Sequence, residues 1–168
     1  MTSYLIEGPW AGQLAIVPRP RGGDWLTDEV RTLKDEGFDI LVSLLTDTES
    51  AELGLAREAD FSRTNGLQYF NFPITDLGVP DSATKGQQFV SELHRALVAG
   101  KKVAIHCRQG IGRSGLIASS LLVMSGMEPE TAFRQVSSAR GFSAPETEEQ
   151  KNWVVELARE FAEPLVRG

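Results

Sequence analysis

The chain has 168 residues, 41% of them hydrophobic and 24% charged, enough for one soluble domain with a real core. A total of 17 basic against 23 acidic residues gives a net charge of −6, which argues against a nucleic-acid or anionic-membrane partner recruited by bulk charge. The single cysteine excludes an internal disulfide. No apolar run approaches the ~20 residues that span a bilayer, so no membrane role is expected.

Two short β-type runs open the chain, Leu5-Ile6-Glu7 and Gln13 to Val17, and the Gly8-Pro9 and Gly12 between them predict a hairpin. The N-terminus lacks the basic start and apolar core of a signal peptide, and a cytoplasmic setting is expected. Pro18, Pro20, Gly22 and Gly23 then stop regular structure. Asp24 is placed to cap a helix running through Glu36, with Trp25, Val30 and Leu33 toward the core and Gly37 ending it. The short, mostly apolar stretch from Asp39 to Leu45 predicts a buried parallel strand. A turn at Thr46 to Thr48 leads into a helix expected from Glu49 to Ser62 despite Gly54, closed by Asn65-Gly66. Gln68 to Phe72 alternates and is aromatic, so it predicts a strand, and Pro73 to Pro80 reads as an irregular loop. From Asp81 or Ser82 to Ala99, a helix with Phe89, Val90, Leu93 and Leu97 on one face ends at Gly100.

Lys102 to His106 predicts the strand that feeds a glycine-bearing loop, followed by a helix from Ser114 to Ser125. Another helix opens at Pro129 and runs to Ser138, and a last one runs from Glu146 to Phe161. Strands alternating with helices, with no repeat or linker, predict a single α/β domain over residues 1–168 with a central, largely parallel sheet flanked by helices. Ligands in such sheets bind beyond the carboxyl ends of the strands, where the loop carrying Cys107 emerges.

Strand, tight loop and helix N-terminus together make an anion site. The backbone N–H groups of Arg108, Gln109, Gly110, Ile111, Gly112 and Arg113 point inward, and the helix dipole adds partial positive charge. Gly110 and Gly112 permit positive φ there. A thiolate at Cys107 is itself an anion beside those donors, and Arg113 offers a planar fork for two phosphoryl oxygens. A cysteine alone at a strand end is usually a small buried hydrophobe. Here nucleophile, anion-loop glycines, arginine and helix-opening Ser114 stand in consecutive register, which points to a nucleophile seated in a phosphate cradle.

His106-Cys107-x5-Arg113-Ser114 matches the His-Cys-x5-Arg-Ser/Thr signature of the cysteine-dependent protein phosphatases, tyrosine-specific and dual-specificity, which the chain resembles from Leu26 to its last helix. The flanks look most like the small dual-specificity branch that includes kinase-associated phosphatases. The resemblance implies the dual-specificity fold and hydrolysis of phosphotyrosine, extending to phosphoserine and phosphothreonine, through a phosphocysteine. It also implies a phosphorylated protein or peptide as substrate, a monomer, and no metal or other cofactor. By the same resemblance Ser114 would hydrogen-bond the sulfur and ease breakdown of the phosphoenzyme, a plain capping role being its alternative. His106 would orient the loop.

Phe72 to Asp81 resembles the family's Pro-x-x-Asp loop, and the resemblance implies that Asp76 would be the general acid. Asp81 competes, but its place before a helical pattern suits a cap. Thr147 and Gln150 match the spacing that opens the last helix in the kinase-associated branch. Gln150 would position the hydrolytic water, unless the segment is only a solvated first turn. Three rivals are weighed. A rhodanese-type sulfurtransferase has a different loop and no Pro-x-x-Asp partner. An inactive phosphate-binding module does not need Cys107, Arg113 and Asp76 together. A phosphoinositide phosphatase often has more basic loops, whereas Ile111 stands here beside the single Arg108. One cysteine with His94 and His106 makes no zinc cluster, and no Walker-type lysine follows the glycines.

Overall fold

The strand Lys102–His106 (β5) lies at the centre of a five-stranded sheet and is buried from Val103 onward. The computed structural model describes the backbone of residues 3–167 and side chains through residue 161, so the expected extent of 1–168 reaches past it at both ends. The strands β1 (Tyr4–Ile6), β2 (Gln13–Ile16), β3 (Ile40–Ser43) and β4 (Gln68–Asn71) join β5 in the order β1-β2-β5-β3-β4. Only the β1–β2 hairpin is antiparallel; β2, β5, β3 and β4 run parallel. Successive side chains of a strand face opposite sides of the sheet, and the core divides accordingly. Ile16, Val42 and Ile105 pack with Val90, Leu93 and Leu116 on one face, while Ala15, Leu41 and Ala104 meet Leu26, Val30 and Leu33 on the other.

The helices are α1 (Leu26–Asp35), α2 (Asp47–Glu52), α3 (Glu58–Thr64), α4 (Ala83–Val98), α5 (Gly112–Met124), α6 (Pro129–Arg140) and α7 (Glu148–Arg167). α1 and α3 cover one face of the sheet. On the other, α5 is enclosed by the sheet, α4, α6 and α7, and is buried from Gly112 to Val123, so it shows no amphipathic stripe. Because β3, β4 and β5 are parallel, the segments leaving them gather at one end of the sheet. Those three exits carry Glu49, Asp76 and Cys107. No helix among the described residues is long and apolar enough to cross a membrane.

Several boundaries differ from the sequence expectation. The helix expected over Glu49–Ser62 is two helices, because Gly54 between them takes φ +70° and packs so close to Gly23 that a side chain would collide. α2 opens earlier on a capping box, in which Thr46 Oγ1 accepts from Glu49 N (3.3 Å) and Glu49 Oε1 accepts from Thr46 N (3.1 Å). Asp24 does not cap α1; it lies in a 3-10 turn (Gly23–Trp25) ahead of it. Trp25 is 57% exposed rather than core, with the Arg21 guanidinium stacked on its ring. α5 starts two residues before Ser114, at Gly112. α6 continues to Arg140 and α7 to Arg167, and Thr147 Oγ1 accepts from Gln150 N (3.1 Å) where α7 begins.

The cap of α4 is Ser82, whose Oγ accepts from Lys85 N (3.2 Å), and not Asp81. Ser82→Ala is therefore expected to lower stability by about 0.5–2 kcal/mol in denaturant unfolding, with Asp81→Ala unchanged. The reverse ranking would return the cap to Asp81.

Candidate active site

Cys107 follows β5 directly and is buried, and its Sγ accepts a hydrogen bond from Gly110 N (3.2 Å). Gly110 reaches that position at φ +73°. The carbonyls of the loop turn outward: Arg108 O accepts from Arg19 Nη1 (2.9 Å), Gly110 O from Arg140 Nε (2.9 Å) and Gln109 O from Arg140 Nη2 (3.0 Å). Two guanidiniums thus hold three consecutive peptide groups by their oxygens, which favours N–H groups facing the other way, toward an anion. Gly112 has a different reason: a Cβ there would lie 2.8 Å from Glu146 Oε1 and 3.2 Å from the Gln150 amide.

Arg113 is 1% exposed and its guanidinium is heavily engaged. Nη1 donates to Glu49 Oε1 (2.7 Å) and Ile74 O (2.9 Å), Nη2 donates to Glu49 Oε2 (3.0 Å), and Nη2 also stands 3.3 Å from Asp76 Oδ1. Burial works against its charge, but Glu49, Cys107 and Asp76 more than offset this and raise its pKa. The Arg113 hydrogen bond in turn brings Glu49 down to about 2 against the opposing effect of burial, so the pair stays ionised at any ordinary pH. The fork aligns the guanidinium, leaving Nε and the outer edge of Nη2 for another ligand. Sequence reasoning missed Glu49. Its visible signal, Thr46-x-x-Glu49, is that of a capping box, which it also makes.

Asp76, Leu77, Cys107, Arg108, Gln109, Gly112, Arg113 and Glu146 line a cavity of about 170 Å³. Asp76 is exposed, its Oδ1 accepts from Leu77 N (3.0 Å), and Leu77 is held at φ +64°, a left-handed conformation that a leucine adopts only at a cost. Of the other expected residues, Gly110 sits on the sulfur and Ile111 is the N-cap position of α5 without a side-chain cap. Ser114 does not cap that helix; it is in the first turn, buried, and its Oγ has no partner among the described residues.

His106 lies behind the loop. Its Nε2 is 2.6 Å from Glu58 Oε2, both side chains being fully buried, and its Nδ1 is 3.3 Å from Cys107 O. Tyr69 OH donates to Glu58 Oε1 (3.1 Å); burial first and then the Glu58 charge push that phenol up. Gln150 is fully buried outside the cavity wall. Its Oε1 accepts from Glu146 N (3.1 Å) and Thr147 N (3.2 Å), and its Nε2 donates to Gly78 O (3.1 Å), tying the Asp76 loop to the start of α7. Glu146 is the second carboxylate on the cavity wall, and nothing in its sequence neighbourhood singles it out. Among the described residues no group of three or more His, Cys, Asp or Glu side chains is placed to hold a metal ion.

The sequence profile described as the polymorphic toxin system DSP-PTPase phosphatase matches residues 16–127. The chain is similar to 197R of Invertebrate iridescent virus 6, a tyrosine phosphatase by name, with 31% identity over 90% of this chain and 55% of the relative. It is also similar to human cyclin-dependent kinase inhibitor 3, with 30% identity over 82% of this chain and 65% of the relative. The chain thus spans between half and two thirds of the length of these relatives. Among solved structures, Tk-PTP in its active form superposes with a TM-score of 0.77 at 28% identity, covering 94% of this chain and 96% of that one. Kinase-associated phosphatase with its catalytic-site cysteine replaced by serine gives a TM-score of 0.85 at 23% identity, covering 96% of both chains, a likeness of fold.

Proposed function

The chain belongs to the DSP-PTPase phosphatase family, and from that premise we propose that it is a cysteine-dependent phosphatase of phosphorylated proteins or peptides, acting on phosphotyrosine and extending to phosphoserine and phosphothreonine. The observation that carries this reading is the cavity that brings Cys107, Arg113 and Asp76 onto one wall. The Cys107 thiolate attacks phosphorus, the bond from phosphorus to the ester oxygen breaks, and Asp76 gives that oxygen its proton. Arg113 and the loop N–H groups hold the three remaining phosphoryl oxygens, and the entering phosphoryl group takes the Nη2 edge that Asp76 occupies at 3.3 Å. Asp76, now a carboxylate, then takes a proton from water as water attacks the phosphocysteine, and the sulfur–phosphorus bond breaks to release inorganic phosphate.

Gln150 supports this sequence by fixing the Asp76 loop through Gly78, and His106 supports it by its contact with Cys107 O at the start of the loop. One catalytic unit over residues 1–168, working as a monomer in the cytoplasm without a cofactor, is the simplest form of the proposal. Acid quenching during turnover of an aryl phosphate, followed by peptide mass spectrometry, is expected to find one phosphoryl group on Cys107. Turnover with phosphate on no residue, or on a residue other than Cys107, would end the covalent route.

A further inference from the structure

Glu58, the first residue of α3, is a buried carboxylate that does not line the cavity at Cys107. A carboxylate is costly to bury, and Glu58 is held by partners from two other elements. Its Oε1 accepts from Tyr69 OH on β4 (3.1 Å), and its Oε2 stands 2.6 Å from Nε2 of His106, the last residue of β5. The other ring nitrogen of His106, Nδ1, is 3.3 Å from Cys107 O. One line thus runs from Tyr69 through Glu58 and His106 to the peptide group that joins Cys107 to Arg108.

The chemistry along this line fixes its protons. A carbonyl oxygen only accepts, so His106 Nδ1 carries a hydrogen. Burial first and then the Glu58 charge push the Tyr69 phenol up, which keeps it a donor, and that donor favours the ionised form of Glu58. An ionised Glu58 only accepts, so Nε2 carries a hydrogen as well, and 2.6 Å is the short contact of a charge-assisted bond. We propose that Glu58 is a positioning residue for the nucleophile: it holds His106 as an imidazolium, with Nδ1–H turned onto Cys107 O and the positive charge placed behind the sulfur. The ring stands between the carboxylate and Cys107, so a thiolate there meets the positive end of the pair first. The same bond polarises the Cys107–Arg108 peptide and strengthens Arg108 N–H as a donor to an anion. Around Tyr69 stand Arg63 of α3 and the Ser43 hydroxyl of β3. On the cavity side the thiolate faces Arg113 of α5, Arg108, Asp76 and Glu146. The proposal rests on the phosphatase reading only in giving that thiolate a substrate.

Cys107 is the chain's only cysteine, so its alkylation by iodoacetamide as a function of pH reports the thiolate with no turnover needed. Glu58→Gln keeps the size of the side chain and a donor and an acceptor for its two partners, but removes the charge. It is expected to move the alkylation midpoint upward by about one pH unit, a reaction about tenfold slower on the acid side. His106→Gln should give a similar shift, and the double variant no more than the larger single one, because Glu58 acts through His106. A loss of stability alone, followed by denaturant unfolding, does not move that midpoint. In the unaltered protein, nitrogen NMR of the imidazole rings should show His106 protonated on both nitrogens at neutral pH. His94, the other histidine, is held below its usual pKa by burial and serves as the neutral reference. This measurement decides the matter even where a variant does not fold. An unmoved midpoint in Glu58→Gln, single shifts that add in the double variant, or a neutral His106 ring at neutral pH each overturns the proposal. Aryl-phosphate turnover by the unaltered protein is measured apart. A shifted midpoint without turnover keeps the role of Glu58 and removes the phosphatase reading, and turnover with an unmoved midpoint does the reverse.

Discussion

Cys107→Ser is expected to reduce turnover by about 10⁴–10⁶-fold while inorganic phosphate still binds. The two effects separate because different atoms carry them. The proposed nucleophile is the sulfur alone, and a serine hydroxyl in its place is a neutral alcohol far harder to ionise than a thiol. The cradle depends on the loop backbone, which Arg19 and Arg140 hold by its carbonyls, and on Arg113, which Glu49 and Ile74 O hold by its guanidinium. None of these contacts involves the sulfur. Steady-state assay with an aryl phosphate and calorimetric titration with phosphate read the two separately. Activity near that of the unaltered protein would remove Cys107 from the chemistry, and loss of phosphate binding would show that the sulfur, through Gly110 N, also organises the loop.

The second large effect belongs to Asp76. Asp76→Ala is expected to cost about 10²–10⁴-fold with poor leaving groups and much less with activated aryl phosphates, whose oxygen leaves with little help from a proton. The alkaline limb of the kcat/KM profile, which reports the protonated acid, should flatten in the same variant. Glu49 does not interfere with that reading, because Arg113 keeps it ionised down to about pH 2. Asp81→Ala should change neither leaving-group dependence nor profile, and since Ser82 holds the cap it should not change stability either. Glu146 is the other carboxylate on the wall, so Glu146→Gln is the control. A leaving-group dependence that follows Glu146 instead of Asp76 would exchange their roles.

The anion loop was legible because its parts are consecutive: strand, cysteine, glycines, arginine and helix follow one another, and local geometry alone brings them together. The place of Asp76 on the cavity wall was legible through the resemblance of Phe72 to Asp81 to the Pro-x-x-Asp loop. Glu49 was not, since its contact with Arg113 is made across the sheet by the parallel exits of β3 and β5, and its own neighbourhood announces only a helix start. Glu58 was hidden for the same reason, as it meets Tyr69 and His106 from a separate segment of the chain. The errors in the fold have local causes. Gly54 was read as a tolerated helix glycine, but φ +70° and the close approach of Gly23 make it a break. Trp25 was read as core from periodicity, but it precedes the helix and stays outside under Arg21.

The place of β5 in the sheet has a consequence for how the chain is made. β2 and β3 do not pair with each other; each pairs with β5, which is synthesised long after both. Until then the nascent chain holds a β1–β2 hairpin and a β3–β4 pair, each with a bare edge and an apolar face carrying Leu14 and Ile16 or Ile40 and Val42. Such edges invite pairing with other chains, and the contacts that cover them are distant in sequence and slow to form. The strand that delivers Cys107 is thus the one that closes the sheet. A ribosome-bound fragment ending before Lys102 lacks the Cys107 loop and leaves the inner edges of β2 and β3 unpaired, so it is expected to aggregate more readily than the full chain.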